Sequence, residues 1–182
     1  MEELVQIWNS KGQPTNKICT KNTAHQKGYF HATVHVWFYN STPALLLQKR
    51  GSFKETFPDF WDVSVAGHVT AGETITAAAV REVNEEIGLN IDPNNLTLLN
   101  IRKNTNRFDN GIIDCEFQHV FLHPLEYSIK KLELQQIEVA EVRLFDFKEI
   151  ELCTLYKNKE FKIVPADMTY YHYIMKEVNK RI

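Results

Sequence analysis

With 182 residues, 43% of them hydrophobic, the chain has the length and composition of a soluble globular protein that can bury a sizeable core. Its formal net charge of -2 excludes a general affinity for polyanions, so no nucleic-acid partner is expected and any phosphate binding must be local. Cys19, Cys115 and Cys153 form no CxxC pair, the opening stretch is acidic and polar, and no apolar run spans a bilayer; a cytoplasmic protein without disulfides, zinc site or membrane contact is expected.

Leu4 to Trp8 reads as a first strand that turns at Asn9–Gly12, with a second arm from about Lys17, so residues 1–28 are expected to form a hairpin or extension. Thr20 to Gly28 is polar and is expected to be irregular. His31 to Tyr39 alternates. Ala32, Val34, Val36 and Phe38 share one apolar face; His31, Thr33, His35 and Trp37 share the other. Ala44 to Lys49 is a returning strand. Gly51 to Trp61 is a loop rich in aromatics, and Val63 and Val65 open a short strand.

The stretch from Gly67 to Leu89, GHVTAGETITAAAVREVNEEIGL, carries the chemistry. Glu82, Glu85 and Glu86 are spaced by three and four residues, which on a helix places them side by side. Like charges so placed destabilise a helix unless a cation sits among them, and hard divalent ions such as Mg²⁺ take oxygen ligands and bridge carboxylates to phosphates. Thr74 is the expected N-cap, Ala79, Val83 and Ile87 the core-facing side, and Gly88 the left-handed C-terminal residue.

Further on, Asp92–Asn95 reads as a turn, Leu96–Arg102 and Ile112–Leu122 as strands around a polar loop, and Tyr127–Gln135 as a charged connection. Val139–Phe147 is a strand and Asp146–Cys153 a short helix. A closing helix, Ala166 to Lys180, is expected with Pro165 at its first position, so that residues 165–181 form the C-terminal element. Met168, Tyr171, Ile174, Met175 and Val178 make its apolar stripe. A mixed sheet with helices around it is an α/β (α+β) layered fold.

Gly67, Glu73 and the run from Arg81 to Leu89 match every position of the Nudix box, and the chain resembles the Nudix hydrolases. The resemblance implies one domain over 1–182, with a mixed sheet sandwiched between helices and the box at 67–89. It implies metal-dependent cleavage of diphosphate linkages, with Mg²⁺ or Mn²⁺ held by Glu82, Glu85, Glu86 and the Gly67 carbonyl. Glu82, Glu85 and Arg81 then belong to the catalytic apparatus, with Arg81 orienting the acids and Glu73 bracing Arg81. The general base is a box glutamate or one on a later loop, where Glu138 is the first candidate and Glu141 the second.

Outside the box, His31-Ala32, Leu47-Gln-Lys-Arg50, Pro58-Asp-Phe-Trp61 and Trp61–His68 resemble the branch that contains type I isopentenyl-diphosphate isomerase. Where the isomerase has a proton-transferring cysteine, this chain has Ala66, which has no ionisable group. The same resemblance implies a second metal site at His31, His68, Asp114 and Glu116, with His25 nearby. The alternative is local hydrogen bonding by the histidines and a solvated face for the acids. Lys49 or Arg50 is expected on phosphate, and Phe60 and Trp61 are candidates for an aromatic platform, as are Trp37, Phe53, Phe57 and Tyr29; core packing is the alternative for the rings. Three functions stay open: hydrolysis of a small-molecule diphosphate, isomerisation of isopentenyl diphosphate, and non-catalytic diphosphate binding. No feature specifies an oligomeric state.

Overall fold

The computed structural model describes residues 2–154, 161–165 and 168–182. The chain opens with an antiparallel hairpin, β1 (Leu4–Trp8) and β2 (Pro14–Thr20). Backbone bonds from Trp8 N–H to Phe30 O (2.7 Å) and from Ala71 N–H to Leu4 O (2.9 Å) tie the hairpin to the main sheet and to the loop after Gly67.

The expected irregular segment after β2 is instead a helix, α1 (Lys21–Lys27). The Thr20 hydroxyl accepts from Thr23 N–H, and Gly28 ends the helix in the left-handed region at φ 63°. Only Ala24 is buried within it, so there is no apolar stripe for periodicity to detect.

The main sheet has seven strands and is mixed. Its spine runs β5 (Trp61–Asp62), β4 (Ala44–Arg50), β3 (His31–Tyr39), β8 (Ile113–Pro124), β7 (Thr97–Arg107), while β6 (Val65–His68) pairs with β3 and β9 (Val139–Asp146) pairs with β4. β3 and β8 are parallel, with His31 opposite Glu116, Thr33 opposite Gln118 and His35 opposite Val120; the other pairings are antiparallel. β7 runs past the expected end at Arg102 because its polar residues pair with β8 as far as Arg107 opposite Ile113.

The alternation of β3 becomes two cores. Ala32, Val34, Val36 and Phe38 pack with Ala78, Ala79, Val83 and Ile87 of α2 (Ile75–Ile87). Trp37 faces the other layer, with Trp61, Phe145, Ile150 of α3 (Phe147–Thr154), and Tyr170, Tyr171, Ile174, Met175 and Val178 of α4 (Met168–Asn179). α4 begins at Met168; Pro165 precedes it, and Ala166 and Asp167, which the sequence places in the helix, lie outside the described residues. Among the described residues no helix is long and apolar enough to cross a membrane.

Candidate active site

α2 forms where the spacing places it. Thr74 caps it by accepting from Ala77 N–H, and Gly88 closes it at φ 71°. Its acidic side meets β6. Glu82 and Glu86 lie one turn apart and are 9% and 4% exposed, whereas the Glu85 side chain is 50% exposed. Glu82 lies flat against Gly67, whose missing side chain makes room: a Cβ there would sit 1.9 Å from the Glu82 carboxyl carbon.

Arg81 organises this side. It donates Nε and Nη2 to Glu73 (2.9 Å each), Nη1 to Glu82 (2.8 Å) and Glu85 (2.9 Å), and Nη2 to the His68 carbonyl (2.9 Å). A planar guanidinium can serve that many acceptors in fixed directions, which a lysine cannot. Glu86 has weaker support, from Gln48 Nε2 (3.0 Å) and Ala66 N–H (3.3 Å). Burial pushes both buried carboxyls up, and for Glu86 the Glu82 charge adds to it. Two buried carboxyl groups one turn apart, only one of them bonded to a guanidinium, are a donor set that fits a hard divalent cation.

A second cluster lies beside the first. One ligand atom each from His25, His31 and His68 fall within 4.8 Å of one another, as do those from His31, Asp114 and Glu116. His31 Nδ1 lies 2.9 Å from the Tyr29 carbonyl, so it carries the proton and Nε2 presents its lone pair. The Nε2 atoms of His25, His31 and His68 and the Asp114 Oδ1 are all buried without a hydrogen-bond partner. Asp114 lies 3.7 Å from His25 and 3.9 Å from His31, too far for hydrogen bonds. Burial lowers all three imidazole pKa values, that of His25 to about 4, so the rings are neutral and these contacts are not ion pairs. Neutral imidazoles with orphaned nitrogens and acids with raised pKa values form a set of borderline nitrogen and hard oxygen donors suited to a metal. Glu116 is 8% exposed, which removes the solvated-face alternative for that residue.

Both clusters open into one cavity of about 590 Å³. Arg50, Lys54, Glu138 and Ala66 line it; Lys49, Phe60, Trp61 and Glu141 do not. Trp61 is in the core with its ring centroid 4.9 Å from that of Phe145, Phe60 packs on Phe57 at 5.5 Å, and Lys49 pairs across the sheet with Glu141. Arg50 is held by Asp62 (2.9 Å) and by Thr56, and Lys54 pairs with Glu138. Gly51 N–H bonds to the Glu138 carbonyl (2.8 Å), and a Cβ on Gly51 would lie 2.1 Å from Ile137 O; only glycine lets the two loops close this way. Sequence reasoning missed Glu3, Lys21, Asp62, Arg102 and Tyr170 as cavity residues, because no local pattern marks them.

The NUDIX domain family model matches residues 29–167. The chain is 31% identical over 175 residues to Nudix hydrolase 3 of Arabidopsis thaliana, covering 93% of this chain and 22% of that protein's length. It is 34% identical to an uncharacterized Nudix hydrolase of Clostridium acetobutylicum, over 82% of this chain and 72% of the other. It is 29% identical to the isopentenyl-diphosphate Delta-isomerase of Pectobacterium atrosepticum, over 85% and 80%. In fold it is similar to a Deinococcus radiodurans crystal structure, with a TM-score of 0.66 at 18% identity, covering 96% and 98% of the two chains. The box geometry on α2 and these likenesses agree: the chain belongs to the Nudix hydrolase family, in its isopentenyl-diphosphate-isomerase-like branch.

Proposed function

We propose that the protein hydrolyses a diphosphate linkage in a nucleoside diphosphate derivative or related organic diphosphate, using Mg²⁺ or Mn²⁺. The observation that carries this reading is the buried pair of Glu82, set against Gly67, and Glu86, bonded by Gln48 and Ala66 N–H, facing a cavity that also holds Arg50 and Lys54. Glu82, Glu85, Glu86 and the Gly67 carbonyl would hold the metal. Such an ion neutralises the diphosphate, polarises its oxygens and acidifies water. The chain's own groups do the rest. Arg81 keeps the carboxylates aimed and Glu73 keeps Arg81 in place. Arg50 and Lys54 add positive charge where the diphosphate lies. Glu138 takes the proton of the attacking water as its oxygen bonds to phosphorus and the bridging P–O bond breaks. The free thiols Cys19, Cys115 and Cys153 fit work in a reducing cytosol.

The test is product release from nucleoside di- and triphosphates, dinucleotides, nucleotide sugars and isopentenyl diphosphate, with Mg²⁺, with Mn²⁺ and with chelator. Metal-dependent cleavage of at least one compound is expected. Tight diphosphate binding without turnover under any metal would replace this reading with a binding domain.

Isomerisation is the second reading, favoured by the isomerase relatives and by the histidine cluster. Ala66 opposes it, and among the described residues no cysteine lines the cavity. An assay on isopentenyl diphosphate showing no allylic product removes it. The cluster itself we assign as a second metal site at His31, His68, Asp114 and Glu116, with His25 as a further ligand. His31→Ala and His68→Ala proteins, checked for folding by circular dichroism, should each retain less metal than wild type. Unchanged metal content in both would end this assignment.

A further inference from the structure

The side of β3 that carries His31 continues through Thr33 to His35 and Trp37. At the rise of an extended strand His35 lies about 13 Å along the strand from His31. There the cavity wall is a polar network that the hydrolytic reading does not use. Trp37 Nε1, which can only donate, bonds to the Tyr170 hydroxyl (2.9 Å). The hydroxyl's own proton then goes to His35 Nδ1, also at 2.9 Å. Burial drives the His35 pKa down to about 4, so the ring is neutral and its one N–H is on Nε2, turned away from Tyr170. Beside it the Arg102 guanidinium lies 3.5 Å from the Tyr170 ring centroid. Arg102 Nη1 donates to Gln118 Oε1 (2.9 Å), and Gln118 Nε2 donates to Glu116 (2.6 Å). Stacking and this bond fix the guanidinium plane and leave further edge N–H groups. Arg50 is tied by Asp62 and Thr56, and Arg81 by Glu73, Glu82, Glu85 and the His68 carbonyl, so Arg102 is the least committed of the three guanidinium groups on the cavity.

We infer that this wall selects a diphosphate whose other half is polar and rich in oxygen acceptors, as in a nucleoside diphosphate sugar, and not an alkyl chain. Arg102 is the specificity-determining residue, and Tyr170 positions it together with His35. The inference rests on the diphosphate lying at the acidic cluster, as proposed above. A hydrocarbon laid on this wall would take water from the donors and return no hydrogen bond, whereas a site built to bond such groups rejects analogues that lack them by large factors.

The test is equilibrium binding of ADP-ribose, UDP-glucose and isopentenyl diphosphate to wild type, Arg102→Met and Tyr170→Phe, with Ca²⁺ in place of Mg²⁺ so that binding is read without turnover. Wild type should bind at least one nucleotide sugar roughly tenfold or more tighter than isopentenyl diphosphate. Arg102→Met should remove that preference, weakening the nucleotide sugar about tenfold and leaving isopentenyl diphosphate within about twofold. Tyr170→Phe keeps the stacking ring but frees His35, and should give a smaller loss in the same direction. Equal or tighter binding of isopentenyl diphosphate by wild type overturns the inference, as does an Arg102→Met effect that is absent or the same for both classes. Absence of cleavage with the expected binding pattern would instead count against the hydrolase reading alone.

Discussion

Glu86→Gln should lower metal-dependent cleavage by about a hundredfold or more, because even the outer partners of metal ligands typically cost ten- to hundredfold. The same change should raise the stability of the metal-free protein. The wild-type carboxyl is 4% exposed and lies beside Glu82, and burial followed by that like charge pushes its pKa above the usual range. A neutral amide has neither problem, and it keeps an oxygen for Gln48 Nε2. The gain is on the order of 1–3 kcal/mol, the cost of an imperfectly compensated buried polar or charged group. In a protein of this size that is a rise in Tm of about 2–4 °C per kcal/mol. The sign of the pH dependence follows. A carboxyl with a raised folded pKa makes the folded state hold a proton that the unfolded state releases. Its contribution to stability is therefore largest at acid pH and is lost as pH rises from the ordinary carboxylate range through neutrality. With chelator present, the stability gap between Glu86→Gln and wild type should widen over that rise. A variant that keeps wild-type kcat, or is less stable than wild type at neutral pH, would remove Glu86 from the site as described.

Gly67→Ala is expected to have the second large effect, and it is steric. The added methyl would lie 1.9 Å from the Glu82 carboxyl carbon and 2.2 and 2.3 Å from its oxygens. Gly67 sits in β6 opposite Val34 in ordinary extended backbone, so alanine is tolerated there by the main chain. What must move is the Glu82 carboxylate, the end of a flexible side chain, and moving it disturbs the bond it accepts from Arg81 Nη1. Activity should fall at least about tenfold, with weaker Mn²⁺ binding by calorimetry, while circular dichroism is unchanged. Wild-type activity and metal affinity in this variant would show that the carboxylate beside Gly67 is not needed where it lies.

The parts of the fold that could be read from the sequence are those with local patterns. α2 follows from Thr74, Gly88 and the three- and four-residue spacings, and β3 follows from its alternation: Ala32, Val34, Val36 and Phe38 enter one core, while the other face gives Trp37 to the second core and His31, Thr33 and His35 to the site. The three box carboxylates looked equivalent, yet packing against β6 buries Glu82 and Glu86 and leaves Glu85 half in water. α1 was missed because a seven-residue helix that buries only Ala24 has no stripe to show. For Trp61 the sequence leaves a platform and core packing open, and the structure takes the core, because the residue enters the sheet beside Lys49 and meets Phe145. Lys54 with Glu138, and His35 with Arg102 and Tyr170, are joined by strand order and the docking of α4, and neither leaves a trace in short-range periodicity.

The leading segment has a consequence for how such proteins diversify. Glu3, Lys21 and His25 all line the cavity, and all precede residue 29, where the shared family pattern begins. The binding surface is therefore finished by an appendage that takes no place among the seven strands of the main sheet. Substitutions in that appendage reach the pocket through Glu3, Lys21 and His25, and reach the helix that bears the carboxylates through the Ala71 N–H to Leu4 O bond and through Trp8, which packs against the core behind that helix. A change of ligand preference made in this stretch is therefore coupled to the seating of the carboxylates.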